Sequence, residues 1–347
     1  MKKILYIATT ADNRNRLDGE TVKCRLLREY LNEIEDIRIY SVDTDNWKKH
    51  ILKLVALILF YFMKADEIIV SSADNGANII LDFFRKIKTK KKIYYFVIGG
   101  SLSRNIKEKK WNVNTYKNVK RIFVEATTLK EELNKLKINN VEVLNNFRKV
   151  KKFKNNYKND GTFKFVYYGR VIKEKGIEEA IKLVKKLEEN KIKCTLDIYG
   201  QCNDEYLNKI KCEFDEKIVF HGEIKPDCKT EYEILSQYDV FIFPTEYPGE
   251  CLPGALIDCY IANLAVIASD WKYAREYILD NENGKIFEYK NYEDMYNKTL
   301  ELIKENSIEK YKQKSGELSK KYMLDELLND FKEELKYDNK GVKIENK

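Results

Sequence analysis

The chain has 347 residues, 44% of them hydrophobic, which is enough for two ordinary α/β domains that each bury a core. Charged residues make up 35%, which excludes a polytopic membrane protein, and 16 Phe with 24 Tyr exclude a disordered chain. The net charge of +8 is uneven: residues 1–150 carry a net +12 and residues 151–347 a net −4.

Taken in chain order, the first half alternates short apolar runs with helical segments. Ile4–Ala8 predicts a first buried parallel strand. Following Lys2-Lys3, it is too short for the apolar stretch of a secretion signal. A polar loop at Asp12–Gly19 leads to a helix from Thr21, with Val22, Leu26, Leu27, Tyr30 and Leu31 on one face. Ile37–Tyr40, Glu67–Val70, Ile93–Ile98, Ile122–Glu125 and Val141–Leu144 predict further strands. Leu54–Met63, ten apolar residues between Lys53 and Lys64, is about half of what a bilayer requires. It reads as a buried packing helix, the alternative being a shallow interfacial one. Arg85–Arg121 holds thirteen basic residues against a single acid, Glu108. Such a patch suits an anionic lipid surface, a pyrophosphate-bearing lipid or nucleic acid, or reflects only a Lys-rich composition. It contains no recognisable nucleic-acid-binding motif, so nucleic acid is not an expected partner.

At Arg148–Asp160 the pattern lapses into a charged, Asn-rich stretch that reads as a linker. Strands then recur at Lys164–Tyr168, Thr195–Tyr199, Lys217–Phe220, Val240–Phe243, Leu264–Ala268 and Lys285–Phe287. Helices are expected near 176–190, 203–213, 229–236, 254–262, 272–279 and 291–305, followed by helical sequence over about 308–335 and a charged, frayed tail at 337–347. The alternation predicts an α/β chain of doubly wound parallel sheets. Residues 1–150 form one Rossmann-like domain and 151–318 a second, with a C-terminal helix and tail over 319–347 that packs back on the first. A ligand site is expected between the two domains. The seven Cys form no CxxC pair and no ligand-like cluster with the two His, so no metal site is expected. An odd number of scattered thiols suits a reducing cytoplasm.

Two clusters carry chemistry. The strand ending at Tyr168 runs into Gly169-Arg170-Val171-Ile172-Lys173-Glu174-Lys175-Gly176 and then a helix, an arrangement that favours an anion. Arg170 and Lys175 would supply two cations there, unless the stretch is merely a Lys-rich loop at the end of the sheet. The second cluster follows the strand Val240–Phe243. Pro244, Pro248 and Pro253, with Gly249 and Gly254, shape a loop into a helix. Glu250 stands at the loop-to-helix entrance and Asp258 eight residues on, about two turns of helix away if most of the interval is helical. Glu250 alone could be an acid favoured at a helix N-terminus. Asp258, between Ile257 and Cys259, places a charge in an apolar helix and needs a partner.

Together these clusters resemble the retaining family 4 glycosyltransferases, which have the GT-B fold of two Rossmann-like domains facing each other across a cleft. Gly169-Arg170…Lys175-Gly176 resembles the family's G-R-x-x-x-x-K-G stretch. Glu250…Asp258 resembles its E-x7-E motif with the second acid shortened. Ile261–Asp270 is similar to the strand that follows, with Asn263 and Ala265 in place of Gly and Pro. Asp197–Gly200 and Val219–Gly222 resemble segments around the donor base. Asp18–Thr21 and Leu144–Asn146 extend the likeness weakly into the first half. The family's usual first-domain His is absent from Tyr94–Gly100, where Gly99-Gly100-Ser101 offers backbone amides or a simple turn. His50 reads as surface helix and His221 as following a strand.

The resemblance implies a retaining, metal-independent hexosyltransferase with no cofactor. It would move a sugar from a nucleotide-diphosphate donor, a UDP-sugar, to a glycan or lipid-linked acceptor in bacterial surface polysaccharide (capsule) synthesis. Arg170 and Lys175 would hold the diphosphate, Glu250 the sugar hydroxyls and Asp258 the ribose. Gly19 would approach the phosphate from the first domain, and Gly169, Gly200, Cys251 and Leu252 would complete the donor site. Arg170, Lys175 and Glu250 are the expected catalytic residues. The enzyme would be cytoplasmic and peripheral on an anionic membrane surface through Arg85–Arg121, with Trp111 and Tyr116 at headgroup level. The alternatives are a catalytically silent partner subunit and a sugar-nucleotide 2-epimerase.

Overall fold

The computed structural model describes residues 1–14, 16–225, 227–305 and 307–337, so the charged tail beyond Tyr337 lies outside the described residues. The chain divides into two compact units. One comprises Met1–Phe147 and the chain from Leu324 onward, the other Arg148–Met323.

The first unit runs β1 (Lys2–Ala8), α1 (Gly19–Asn32), β2 (Ile37–Asp43), α2 (Ile51–Lys64), β3 (Glu67–Ser71), α3 (Asp74–Lys86), β4 (Lys92–Phe96), α4 (Leu102–Glu108), α5 (Val113–Lys117), β5 (Arg121–Val124), α6 (Thr127–Lys135) and β6 (Val141–Val143). Its six strands make one parallel sheet in the order β2-β1-β3-β4-β5-β6. Ile4, Leu5, Tyr6, Ile7 and Ala8 are all fully buried, as a strand covered on both faces requires.

The burial expected of Leu54–Met63 is not what the structure has. α2 runs from Ile51 to Lys64, and of its residues only Ile58 is buried. Tyr61 stacks on Tyr40 and Phe62 on Phe84, while Leu52, Phe60 and Met63 stand 85%, 53% and 78% exposed. The helix is apolar on all sides and the sheet covers only one of them. The basic run also differs from its expected form. Tyr116 is fully buried, its hydroxyl donating to Asn78 at 3.0 Å, so it cannot reach a headgroup layer. Arg85 is tied to Asp82, Lys92 to Glu67, Arg121 to Glu142 and Glu334, and Lys91 donates to the Ala65 carbonyl.

Buried charge gathers at the C-terminal ends of these strands. Lys23 Nζ donates to Glu125 Oε1 at 2.6 Å and to the Val97 carbonyl at 3.1 Å. Asp74 opens α3, and burial pushes its carboxyl up to about 6 although Asn105 and Tyr95 donate to it. An acid whose folded pKa lies above its ordinary 3.8 holds its proton more tightly in the folded chain. Its stabilising contribution is therefore full below about pH 4 and is lost as the pH rises through about 6. Asp74→Asn is expected to raise stability relative to the unchanged chain at about pH 7, by up to about 2–3 kcal/mol, and to raise it much less at about pH 4. Denaturant melts at the two pH values check this; equal shifts at both would refute the pH dependence.

The second unit runs β7 (Phe163–Tyr168), α7 (Ile177–Glu189), β8 (Cys194–Tyr199), α8 (Asp204–Ile210), β9 (Ile218–Gly222), α9 (Thr230–Leu235), β10 (Val240–Phe243), α10 (Gly254–Ile261), β11 (Ala265–Ser269), α11 (Ala274–Tyr277), β12 (Gly284–Phe287), α12 (Tyr292–Lys304) and α13 (Ile308–Ser319). Its parallel sheet has the order β12-β11-β10-β7-β8-β9. Strand order reverses between β7 and β10, the position at which doubly wound sheets take their ligands.

Residues 151–160 have no regular secondary structure, yet they do not hang free. Lys151 N donates to the Cys228 carbonyl at 2.8 Å, and the Tyr157 hydroxyl to Asp239 at 2.5 Å. The helical sequence over 308–335 is not one helix. After α13 come a 3₁₀ turn at Lys320–Tyr322 and extended backbone at Met323, then α14 (Leu324–Leu327) and α15 (Asn329–Lys336). The break falls where the chain passes from the second unit back to the first. There Phe331 packs edge-on against Tyr94, Phe96 and Phe123.

Candidate functional site

The site is built on the two loops that leave β7 and β10 on either side of the strand-order reversal. After β7 the chain turns at Gly169, whose N–H donates to the Tyr199 carbonyl at 3.0 Å, and Val171 N–H reaches the Gln201 carbonyl at 2.8 Å. Gly200 follows β8 beside it with φ 149°, and a Cβ there would overlap the Gly169 carbonyl, while Gly169 itself holds a positive φ of 142°, so both positions favour glycine. A 3₁₀ turn at Lys173–Lys175 closes on Gly176, at φ 74°, which caps α7. A Cβ on Gly176 would overlap the Pro244 carbonyl oxygen at the end of β10. Glu246 N–H donating to the Glu174 carbonyl at 2.8 Å joins the loops further along.

This seam brings three of the expected residues together. Lys175, buried despite its charge, pairs with Glu250, and Thr245 Oγ1 donates to the same carboxylate at 3.3 Å. The Lys175 ammonium also lies 5.3 Å from the ring centres of Phe243 and Tyr247. Arg170 is exposed, with its guanidinium 5.2 Å from the ring centre of the same Tyr247. The result is a cationic pair over an aromatic floor, with one carboxylate among them. An ammonium has three N–H donors, so Lys175 can serve Glu250 and an anion at once.

The helix begins where the sequence pattern puts it, near 254, but Glu250 does not stand at its entrance. α10 begins at Gly254, so Glu250 sits four residues before it, on the loop, and only one turn of helix leads to Asp258. Between them Cys251 and Leu252 have buried side chains, which leaves their backbone as what a ligand could touch. The Cys251 carbonyl accepts from Trp271 Nε1 at 3.2 Å.

Asp258 has the partner its burial demands, one that sequence reasoning missed. Arg148 Nε donates to Oδ1 at 2.6 Å and Nη2 to Oδ2 at 3.1 Å, and the Tyr232 hydroxyl donates to Oδ1 at 3.3 Å. Burial works against the Arg148 charge, but the adjacent carboxylate raises its pKa above the ordinary value. Arg148 sits in a charge-rich stretch that reads as linker, so nothing local marked it. The available signal was the unpaired acid itself, with no pointer to a residue 110 positions away.

At the β8–β9 edge, His221 belongs to β9 rather than following it. It pairs with Asp197 and stacks on Tyr199 at 4.6 Å between ring centres. Gly19 lies in the other unit as the first residue of α1, after the cap Asp18. Its backbone has no positive φ, and a Cβ would meet no atom of its own unit within 4 Å, so the local fold does not require a glycine there. Among the described residues, no group of three or more His, Cys, Asp or Glu is placed to hold a metal ion.

Known proteins share this architecture. The chain is 28% identical over 179 residues to an uncharacterized glycosyltransferase of Methanocaldococcus jannaschii, covering 50% of this chain and 43% of that one. It is 29% identical over 212 residues to the poly(ribitol-phosphate) alpha-N-acetylglucosaminyltransferase of Staphylococcus aureus, covering 56% and 41%. The matches thus span less than half the length of these two relatives. Anabaena HepE, solved in complex with UDP-glucose, superposes with a TM-score of 0.71 at 10% identity over 96% of this chain and 99% of its own. Two Rossmann-like units with parallel six-stranded sheets make this the GT-B fold. The model of the family described as glycosyl transferases group 1 matches residues 148–321, the whole span of the β7 and β10 loops, and the chain belongs to that family.

Proposed function

We propose that the protein is a retaining, metal-independent glycosyltransferase of family 4 that moves a sugar from a UDP-sugar to a glycan or lipid-linked acceptor in bacterial surface polysaccharide synthesis. The observation that carries this reading is the Lys175–Glu250 pair beside Arg170 at the strand-order reversal. A leaving diphosphate gathers negative charge in the transition state while the sugar becomes oxocarbenium-like. Lys175 and Arg170 meet that charge, and Glu250 accepts from sugar hydroxyls. The backbone at Gly169, Gly200, Cys251 and Leu252 lines the donor, Asp258 contributes at the ribose, and Gly19 belongs to the phosphate side. Support for the donor comes from HepE, whose structure holds UDP-glucose, and for the acceptor class from the poly(ribitol-phosphate) enzyme. The first unit takes the acceptor and rests on an anionic membrane surface, with the protein working on the cytoplasmic side.

Purified protein is offered a panel of nucleotide sugars. One UDP-sugar is expected to raise the melting temperature and to be transferred with its anomeric configuration kept, as read by NMR of the product. Inversion would overturn the mechanism. Release of a free 2-epimerised sugar nucleotide would favour an epimerase, and donor binding without transfer or hydrolysis a silent subunit. Turnover is expected to survive EDTA, because the two cations of the seam take the role a metal would have. Loss of turnover that magnesium or manganese restores would refute that role.

A further inference from the structure

α2 turns a continuous apolar stripe outward. Leu52, Val55, Ala56, Leu59, Phe60 and Met63 follow helical spacing on one face, and all are exposed. Trp47, just ahead of the helix, is also exposed. A helix apolar on all sides is normally buried on all sides, so this face calls for a cover. The charges around it say what kind. From Trp47 to Lys64 there is no acid, and Lys48, Lys49, Lys53 and Lys64 are all exposed. The Lys64 ammonium lies 3.9 Å from the Phe60 ring centre, at the border of the apolar stripe. The neighbouring α3, joined through the Phe62–Phe84 stack, carries an exposed Ile79, and Ile87 beyond it is exposed between Lys86 and Lys88. A second copy of the chain packed on this stripe would set lysines against lysines with no acid between Trp47 and Lys64 to pair them. An anionic bilayer offers both an apolar layer and the opposite charge.

We infer that α2 is an in-plane membrane anchor for anionic lipid, its apolar stripe seated at the boundary between headgroups and acyl chains. Fourteen residues make a helix of about 21 Å, too short to cross a hydrocarbon core of about 30 Å, so it lies flat. Its long lysine stems reach back to the phosphate level. This deepens the reading of the first unit as the membrane-facing one, and rests on it, but moves the main contact from Arg85–Arg121 to α2. Attachment should accordingly have two parts: a salt-sensitive one from the lysines and a salt-resistant one from the stripe.

The test is sedimentation of the full chain with vesicles of phosphatidylcholine alone or mixed with phosphatidylglycerol, at low and high salt. Three chains are compared: the unchanged protein, Leu52→Glu/Phe60→Glu/Met63→Glu, and Lys107→Ala/Lys109→Ala/Lys110→Ala. All substituted side chains are exposed, so each variant keeps its circular dichroism and its donor-induced melting shift. The unchanged chain is expected to pellet with the anionic vesicles and to retain part of that binding at high salt. The α2 variant should bind at least about tenfold more weakly, and the lysine variant should lose only salt-sensitive binding. Undiminished binding of the α2 variant together with lost binding of the lysine variant would overturn the anchor and leave the basic-run contact standing. Absence of binding by the unchanged chain would overturn both. A dimer in solution that the α2 variant dissociates, with no vesicle binding, would assign the stripe to a second copy.

Discussion

Lys175→Ala is expected to lower kcat/KM for sugar transfer by about 10²- to 10³-fold, and Arg170→Ala by about 30-fold or more. These losses correspond to about 2–4 kcal/mol of transition-state stabilisation for a fixed cation facing developing charge. The two residues separate binding from folding. Arg170 is exposed and contacts Tyr247 through its guanidinium, a contact that contributes only about 0.5–1 kcal/mol at an exposed site. Its removal should leave the melting temperature almost unchanged and act on catalysis alone. Lys175 is buried and pairs with a half-buried Glu250, so its removal also strands a carboxylate, at a cost of about 1–3 kcal/mol in stability. Lys175→Ala/Glu250→Gln should recover that stability without recovering transfer. Kinetics unchanged in both single variants would refute the diphosphate assignment. A double variant that regained both stability and turnover would make the pair structural.

The strands were legible because parallel strands covered on both faces leave an unbroken apolar run. Val240–Phe243 reads directly as β10 and is buried throughout. The first loop of the site was legible through its glycines, since Gly176 meets two constraints at once, a positive φ and contact with Pro244. What could not be read were matters of cover and partnership. An apolar helix looks the same in sequence whether one side or all sides are covered, which is why α2 reads as buried. The helical sequence after Ile308 is continuous in propensity but is broken where the chain changes units, at Lys320–Met323, and again at Leu328. Lys175 and Glu250 are 75 positions apart, and only the adjacency of β7 and β10 makes them neighbours. Glu250 falls on the loop rather than at the entrance of α10 because the Cys251-Leu252-Pro253 turn intervenes, its carbonyl at Cys251 held by Trp271.

Arg148→Met is expected to destabilise the second unit by about 3–5 kcal/mol, the cost of leaving a buried carboxylate without its cation. Arg148 and Asp258 meet in a two-pronged arrangement with side chains only 9% exposed at each partner. The fork fits tightly against the first turn of α10, where a Cβ on Gly254 would overlap Arg148 Nη2. Arg148 N–H donates to the Tyr322 carbonyl at 2.9 Å, and Arg148 bridges to Met323 as a parallel strand pair would. One residue thus fastens the first and last segments of the second unit to α10, the helix that follows the β10 loop. Asp258→Asn should cost less than Arg148→Met, because the amide oxygen still accepts one guanidinium N–H and no charge is left unpaired. Arg148→Met/Asp258→Leu should recover most of the loss, since replacing both charges by apolar groups of similar volume removes the desolvation penalty along with the attraction. A double-mutant cycle by denaturant unfolding, with amide exchange of α10 as the local readout, measures the coupling. The resemblance gives Asp258 a second task at the ribose, and its Oδ2, which accepts from Arg148 Nη2, has a lone pair left for it. If the pair serves folding alone, the double variant should bind a UDP-sugar as the unchanged chain does. If Asp258 also receives the ribose, recovered stability should come with a raised KM for the donor and an unchanged kcat. An Arg148→Met variant within about 1 kcal/mol of the unchanged chain would mean that Asp258 is satisfied without its fork.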